Sequence, residues 1–232
     1  MSIYLSATAI KDYIQCPKRI FYRTNFPELA ESNPDMDAGT IVHETLEKFW
    51  TNKDAAIAYC KKRSDEVVLE EHFVEKALES VSNFFSCGVK DMLGKGDLIE
   101  HKFKITLDDN SFLVGKIDRI TGNGTIIDWK TSTRTPKNID KDPQFLTYFW
   151  AYKSMFHKPP TSVLYVSLLE NKIIRLNFSP DIYYQLFHNV VPSMLIKIKK
   201  NDLPPLGLFN SSCFGCKFKK VCAKDMENEL GV

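Results

Sequence analysis

The spacing of apolar positions changes once, sharply, along this chain. Over the first 95 residues it follows the helical period, and from Leu98 it falls to alternation. The opening stretch YLSATAIKDYIQCPKRIFY reads as a helix capped by Ser6, with Leu5 placed to pack on Ile10 and Pro17 ending it, so that Cys16 sits at the helix exit. Residues 39–50, GTIVHETLEKFW, predict a second helix. Residues 65–87 predict a third, with Val67, Val74, Leu78, Val81 and Phe85 on one face. Three β-rich runs follow, LIEHKFKITLDD, SFLVGKIDRI and GTIIDWKTS, separated by Asp, Asn, Ser and Gly turn chemistry; they predict an antiparallel meander. Then come a helix over PQFLTYFWAYKSMF, a hairpin turning at Glu170-Asn171, and a helix over DIYYQLFHNVVPSMLIKIKK interrupted near Pro192. The order predicts an α/β sheet domain spanning residues 1–232, with a mainly helical part over 1–95, a sheet-bearing core over 96–200 and a cysteine-rich segment over 201–232.

Within the meander, Asp128 and Lys130 stand two apart on a strand and share a face, while Trp129 points to the other. Asp118 lies on the preceding strand. It faces Asp128 only if cross-strand partners sum to 246, which requires an odd-length loop such as Gly122-Asn123-Gly124, with Gly124 in the left-handed conformation that closes a three-residue hairpin. Two facing carboxylates repel unless a cation or proton separates them, and hard oxygen ligands favour Mg²⁺ or Mn²⁺. The bland alternative is a solvated strand face on which Lys130 simply pairs with Asp128. On the second helix, Gly39, His43 and Glu47 share a face, so the glycine would let the helix approach while His43 points at a metal; a hydrogen-bonded core histidine is the other reading. Gln144 and Tyr148 are one turn apart, with polar ends able to reach a phosphate backbone. Glu100 lies on the first meander strand without an independent anchor.

Near the end, SSCFGCKFKKVCAKD carries Cys213, Cys216 and Cys222, one thiolate short of a tetrahedral site. The chain has six cysteines, and in a reducing compartment they favour metal ligation or burial over disulfides; Cys60 and Cys87, in helix-like segments, read as packing residues. A net charge of +2 gives no general argument for nucleic acid, although seven lysines between Lys197 and Lys224 face only Asp202. Hydrophobic residues make up 44% of the chain, enough for a substantial core, yet no apolar run approaches the roughly 20 residues of a membrane span. A soluble intracellular protein is expected.

The ordered set G-x-x-x-H at Gly39–His43, G-x-x-D at Gly115–Asp118, I-I-D-x-K-T at Ile126–Thr131 and Q-x-x-x-Y at Gln144–Tyr148 resembles the PD-(D/E)xK nuclease superfamily. The likeness is greatest to its RecB-like iron–sulfur exonuclease branch, the CRISPR-associated exonucleases and their phage relatives. It implies a restriction-endonuclease-like α/β core with a mixed central sheet flanked by helices. The opening segment, with Cys-Pro after its first helix, also resembles that branch, and supplies the missing thiolate. Cys16, Cys213, Cys216 and Cys222 match the positions that hold a [4Fe–4S] cluster there. Such a cluster would close a loop of about 200 residues, stapling the C-terminal segment to the helical start; zinc accepts the same four thiolates. The resemblance further implies that His43, Asp118, Asp128 and the main-chain carbonyl of Trp129 hold Mg²⁺ or Mn²⁺, that Lys130 positions or helps deprotonate a water, and that Gln144 and Tyr148 orient the strand. Phe214 and Phe218 are expected to cover the cluster, with base stacking beside Lys219 as the alternative. The implied activity is a single-strand DNA exonuclease acting on strands or ends, with a helicase or a CRISPR integrase as an admissible protein partner. Two other readings stand beside it: a DNA-end-binding or assembly subunit of a recombination or CRISPR-adaptation complex, and a zinc-stapled endonuclease.

Overall fold

A computed structural model describes residues 2–30, 33–207 and 211–230. The chain divides into two compact units. The first gathers Met1–Glu31, the hairpin end Thr106–Phe112 and Pro180–Val232; the second comprises Ser32–Ile105 and Leu113–Ser179.

In the first unit a short strand β1 (Ile3–Leu5) leads into helices α1 (Ala7–Gln15) and α2 (Lys18–Asn25). The expected cap is present: the Ala9 N–H donates to Ser6 Oγ at 3.1 Å, and Leu5 and Ile10 are both buried beside it. The Ile3 N–H donates to the Asn110 carbonyl at 2.8 Å, pairing β1 with the start of β3 (Ser111–Ile120). The late helical region is α7 (Pro180–Tyr184), a π-helical stretch over Gln185–Val190, and α8 (Val191–Lys199). Pro192 has no N–H to donate, so the expected interruption appears as a widened turn immediately before it. The C-terminal segment returns to the opening helices through hydrogen bonds independent of any cysteine. Arg19 Nη2 donates to the Ser212 carbonyl at 2.8 Å, Ser212 Oγ to the Gln15 carbonyl at 3.0 Å, and Tyr22 Oη to Asp225 Oδ2 at 2.8 Å.

The second unit holds helices α3 (Pro34–Phe49), α4 (Lys53–Val67) and α5 (Glu71–Phe84). This corrects the sequence expectation of one helix over 65–87. The chain turns at Val68, in the left-handed conformation with φ 58°, and α4 covers residues the periodicity left unassigned. The reason lies in α4 itself, whose buried positions are Ala56, Cys60 and Ser64: small residues at i, i+4 and i+8 carry little hydrophobic signal.

Strands β2 (Leu98–Asp108), β3 and β4 (Thr125–Lys130) form the expected antiparallel meander, α6 (Pro143–Phe156) crosses over, and β5 (Ser162–Ser167) then pairs parallel to β4. The hairpin to β6 (Lys172–Arg175) is antiparallel, so the sheet is mixed. Ile127, Trp129, Leu164 and Val166 point to one face, where they share a core with Ile41, Leu46, Val81 and Phe84 of the early helices. Asp128 and its parallel neighbour Tyr165 point to the other, where Phe145 of α6 meets the Tyr165 ring at 5.9 Å. Among the described residues, no helix is long and apolar enough to cross a membrane.

One buried ion pair fixes the β3–β4 hairpin. Arg119 Nε donates to Asp97 Oδ2 at 2.8 Å with both side chains almost fully enclosed, and the guanidinium lies over the Trp50 ring at 4.5 Å. The other oxygen of Asp97 accepts the Gly122 N–H in the hairpin loop at 3.0 Å. Removing one partner strands the other charge in the interior. Asp97→Ala is therefore expected to lower unfolding free energy by about 3–5 kcal/mol in urea denaturation, well beyond the cost of a surface ion pair.

Candidate active site

The site begins with the register of one hairpin. β3 pairs Arg119 with Ile127 and Ile120 with Ile126, partners that sum to 246, as the loop-length argument requires. The loop is the three residues 122–124: Thr121 N–H donates to the Thr125 carbonyl at 2.9 Å, and Gly124 N–H to the Thr121 carbonyl at 2.8 Å. Gly124 adopts φ 86°, and a Cβ there would lie 2.5 Å from Tyr152 Oη, so both backbone and space demand glycine. One step further along the same register, Asp118 stands across from Asp128. There the Trp129 N–H donates to Asp118 Oδ2 at 3.1 Å.

Burial makes this pair of carboxylates costly. Asp128 is 0% exposed and Asp118 5%. Their neighbours offset the cost unequally. Burial pushes Asp118 toward its neutral form, but the adjacent His43, whose Nδ1 is 3.5 Å from Asp118 Oδ1, the Lys130 ammonium and the Trp129 N–H together hold it below the usual aspartate range. For Asp128, burial dominates and the Asp118 charge adds to it, while Lys130, with Nζ 2.8 Å from Oδ2, only partly compensates; the carboxyl is pushed up to about 6. Burial alone would discharge Lys130 and His43, yet the two aspartates outweigh it and raise both. The result is one firmly anionic carboxylate, one that titrates near neutrality and an ammonium that stays charged.

Of the sequence-predicted residues, the structure brings His43, Asp118, Asp128, Lys130, Gln144 and Tyr148 into one linked set. Gln144 Nε2 donates to Asp128 Oδ1 at 3.1 Å and to Tyr148 Oη at 2.8 Å, so α6 reaches the sheet through its amide. Trp129 contributes its main chain here, while its indole packs in the core against Phe84.

The geometry adds Glu100, which the sequence left unanchored. Ligand atoms of His43, Glu100 and Asp118 lie within 4.8 Å of one another, the spacing of groups that can share a cation. Glu100 adopts φ 48° within β2, a left-handed conformation unusual for a strand residue and a form of strain associated with functional sites. No local sequence signal encodes that conformation. Its Oε2 forms an ion pair with Lys116, while its buried Oε1 has no hydrogen-bond partner among the described residues. Lys116 was legible but missed: it lies two residues before Asp118 on β3 and so shares its face.

Two glycines of the motif set have steric rather than conformational roles. A Cβ at Gly115 would lie 2.5 Å from Phe103 Cζ, and one at Gly39 would lie 3.1 Å from Thr131 Oγ1, so α3 passes close to the residue that follows Lys130.

In the first unit, Cys16, Cys213, Cys216 and Cys222 line one cavity together with Tyr22 and Phe218. Phe218 is enclosed there, its ring 5.7 Å from Tyr22, as expected of a covering residue. Phe214 corrects that expectation: it is 83% exposed, because it follows the short 3₁₀ turn Ser211–Cys213 on the outer side. Cys60 and Cys87 lie in the second unit, where burial pushes the Cys60 thiol up to about 11, consistent with an inert packing residue.

Residues 4–223 match the family model of the PD-(D/E)XK nuclease superfamily. No curated protein matches the sequence. Among solved structures, a candidate exonuclease from Eubacterium rectale superimposes with a TM-score of 0.56 at 15% identity, covering 96% of this chain and 88% of that one. A second structure, designated SSO0001, does so with a TM-score of 0.47 at 14% identity, covering 96% and 87%. At such identity the first likeness speaks for the fold alone. The family match spans nearly the whole sequence, including every residue of the buried acidic set, and on that ground the chain belongs to the PD-(D/E)XK nuclease superfamily.

Proposed function

We propose that this protein is a divalent-metal-dependent deoxyribonuclease that shortens single-stranded DNA from an end and carries a structural [4Fe–4S] cluster. The observation that supports the catalytic reading best is the convergence of half-buried His43 and Glu100 on buried Asp118, with Asp128 and Lys130 alongside, inside a nuclease fold. Burial of that much acid, with one Glu100 oxygen left unpartnered, fits a cation. His43, Asp118, Asp128 and the Trp129 carbonyl would hold it, with Glu100 as a further oxygen donor. Bound Mg²⁺ or Mn²⁺ polarises a phosphodiester and lowers the pKa of a water.

The chain's own groups then have separable tasks. Lys130, with Nζ 2.8 Å from Asp128 Oδ2, is placed to donate to a phosphate oxygen or the attacking water and so to position it, or to help remove its proton. Gln144 ties Asp128 to Tyr148, fixing the carboxylate, and this linked pair would orient the strand. Phe214, exposed and near Lys217 and Lys219 in sequence, is free to stack on a base near neutralised phosphates.

For the cysteines, the common cavity supports a shared ligand. The resemblance of the four cysteine positions to the iron–sulfur branch is what favours the [4Fe–4S] cluster over zinc, which accepts the same thiolates.

Purified protein with Mn²⁺ is expected to shorten end-labelled single-stranded DNA progressively, and Asp128→Ala to lower the rate by about 10²–10⁴-fold. Equal DNA binding without cleavage by either protein would indicate an end-binding subunit, and discrete internal fragments an endonuclease.

The pH dependence has a defined sign. The folded pKa of Asp128, about 6, exceeds that of an unfolded aspartate, so its proton stabilises the metal-free fold at low pH and that contribution is lost as pH rises through about 6. Metal binding needs the carboxylate and runs the other way. Calorimetry is expected to show Mn²⁺ affinity rising with pH through about 6 and on through the raised range of His43, which must also lose its proton to bind, with Asp128→Asn removing the first of the two rises.

Anaerobically purified protein is expected to show broad visible absorption and about four iron and four sulfide per chain. Cys16→Ser should remove both, Cys60→Ser neither. Zinc in place of iron would contradict the cluster.

A further inference from the structure

Lys116 has no task in the mechanism above, yet it sits at the acidic centre. Its ammonium forms a close ion pair with Glu100 Oε2, and the charges of Asp118 and Glu47 also draw it in. The two partners differ in freedom. The Glu100 side chain is 9% exposed and is held by a left-handed backbone, whereas Lys116 is 51% exposed, at the end of a flexible four-carbon stem. Glu100 itself belongs to the trio whose ligand atoms converge with His43 and Asp118.

A carboxylate at that position has two oxygens and room for two cations. In two-metal phosphodiester sites the ions stand about 3.5–4 Å apart and a carboxylate commonly serves both. Here an ammonium is already in place on one oxygen. We propose that Lys116 is a built-in monovalent cation occupying the position of a second metal, so that the site takes a single divalent ion, and that removing its charge opens a second divalent site on the freed Glu100 oxygen.

Two properties support this assignment over an ordinary surface ion pair. The acceptor is almost enclosed, with a second oxygen lacking any hydrogen-bond partner among the described residues, so loss of the ammonium leaves an acid that must take up a proton or another cation. Tethered by its own stem, the ammonium is also present at every metal concentration, whereas a small divalent ion must give up tightly held waters to bind.

The inference rests on the divalent-metal reading, and its test separates the two. Metal-stripped protein is titrated with Mn²⁺, counting bound ions by calorimetry and by the loss of the free-ion signal in electron paramagnetic resonance. The wild type is expected to bind about one ion per chain, Lys116→Met about two, and Lys116→Arg about one, because the guanidinium restores the charge. Lys116→Met combined with Glu100→Gln should return to about one. Lys116 is half-exposed, so folding of the variants is expected and is checked by circular dichroism. A stoichiometry that stays at one in Lys116→Met, or is already two in the wild type, overturns this inference and leaves the metal reading intact. Absence of binding in every variant overturns both.

Discussion

Two carboxylates forced to face one another across a buried strand pair are the constraint on which this architecture turns. Neither Asp118 nor Asp128 has water to dilute its charge, and like charges in an enclosed site cannot both be tolerated without help. The surrounding elements supply that help from different directions: an imidazole from α3, an ammonium two residues along β4, a main-chain N–H from Trp129 and an amide from α6. Each of those elements is held by packing elsewhere. The early helices seal the opposite face of the sheet, and the Arg119–Asp97 pair holds the hairpin on which both acids depend. The unequal help given to the two acids also separates their proton affinities, the condition under which neighbouring titratable groups take different chemical roles.

Much of this was legible because it follows from short-range rules. Alternation placed Asp128 and Lys130 on one face. Parity of the loop then put Asp118 on the same face, and the observed register agrees to the residue. A cap located α1, and a breaker the interruption before Pro192. What escaped were features carried by small residues or tertiary strain. Helix α4 buries alanine, cysteine and serine, so its face has no hydrophobic contrast. The orientation of Glu100 comes from a backbone conformation no local motif specifies, and the Asp97–Arg119 pair joins segments 22 residues apart through a buried charge that a sequence reading treats as surface.

The first unit follows a different logic. Its opening helices and closing segment are far apart in sequence, and three hydrogen bonds from Arg19, Ser212 and Tyr22 join them around a cavity lined by four thiols. Those polar bonds hold the ends in register; a shared inorganic ligand would add the restriction of the unfolded chain that comes from closing a long loop. The pattern explains why cysteines cluster at the two ends while Cys60 and Cys87 stay in the second unit as packing residues.

The central claim is that the buried acids and His43 exist to hold a divalent cation. Anomalous diffraction from a crystal soaked in Mn²⁺ tests it directly. The account predicts a manganese peak within bonding distance of His43 and the Asp118 carboxylate, with oxygens of Glu100 or Asp128 completing the ligand set. A peak found only on the exposed acids of α3 and α4, with His43 and Asp118 still paired to each other, would contradict it.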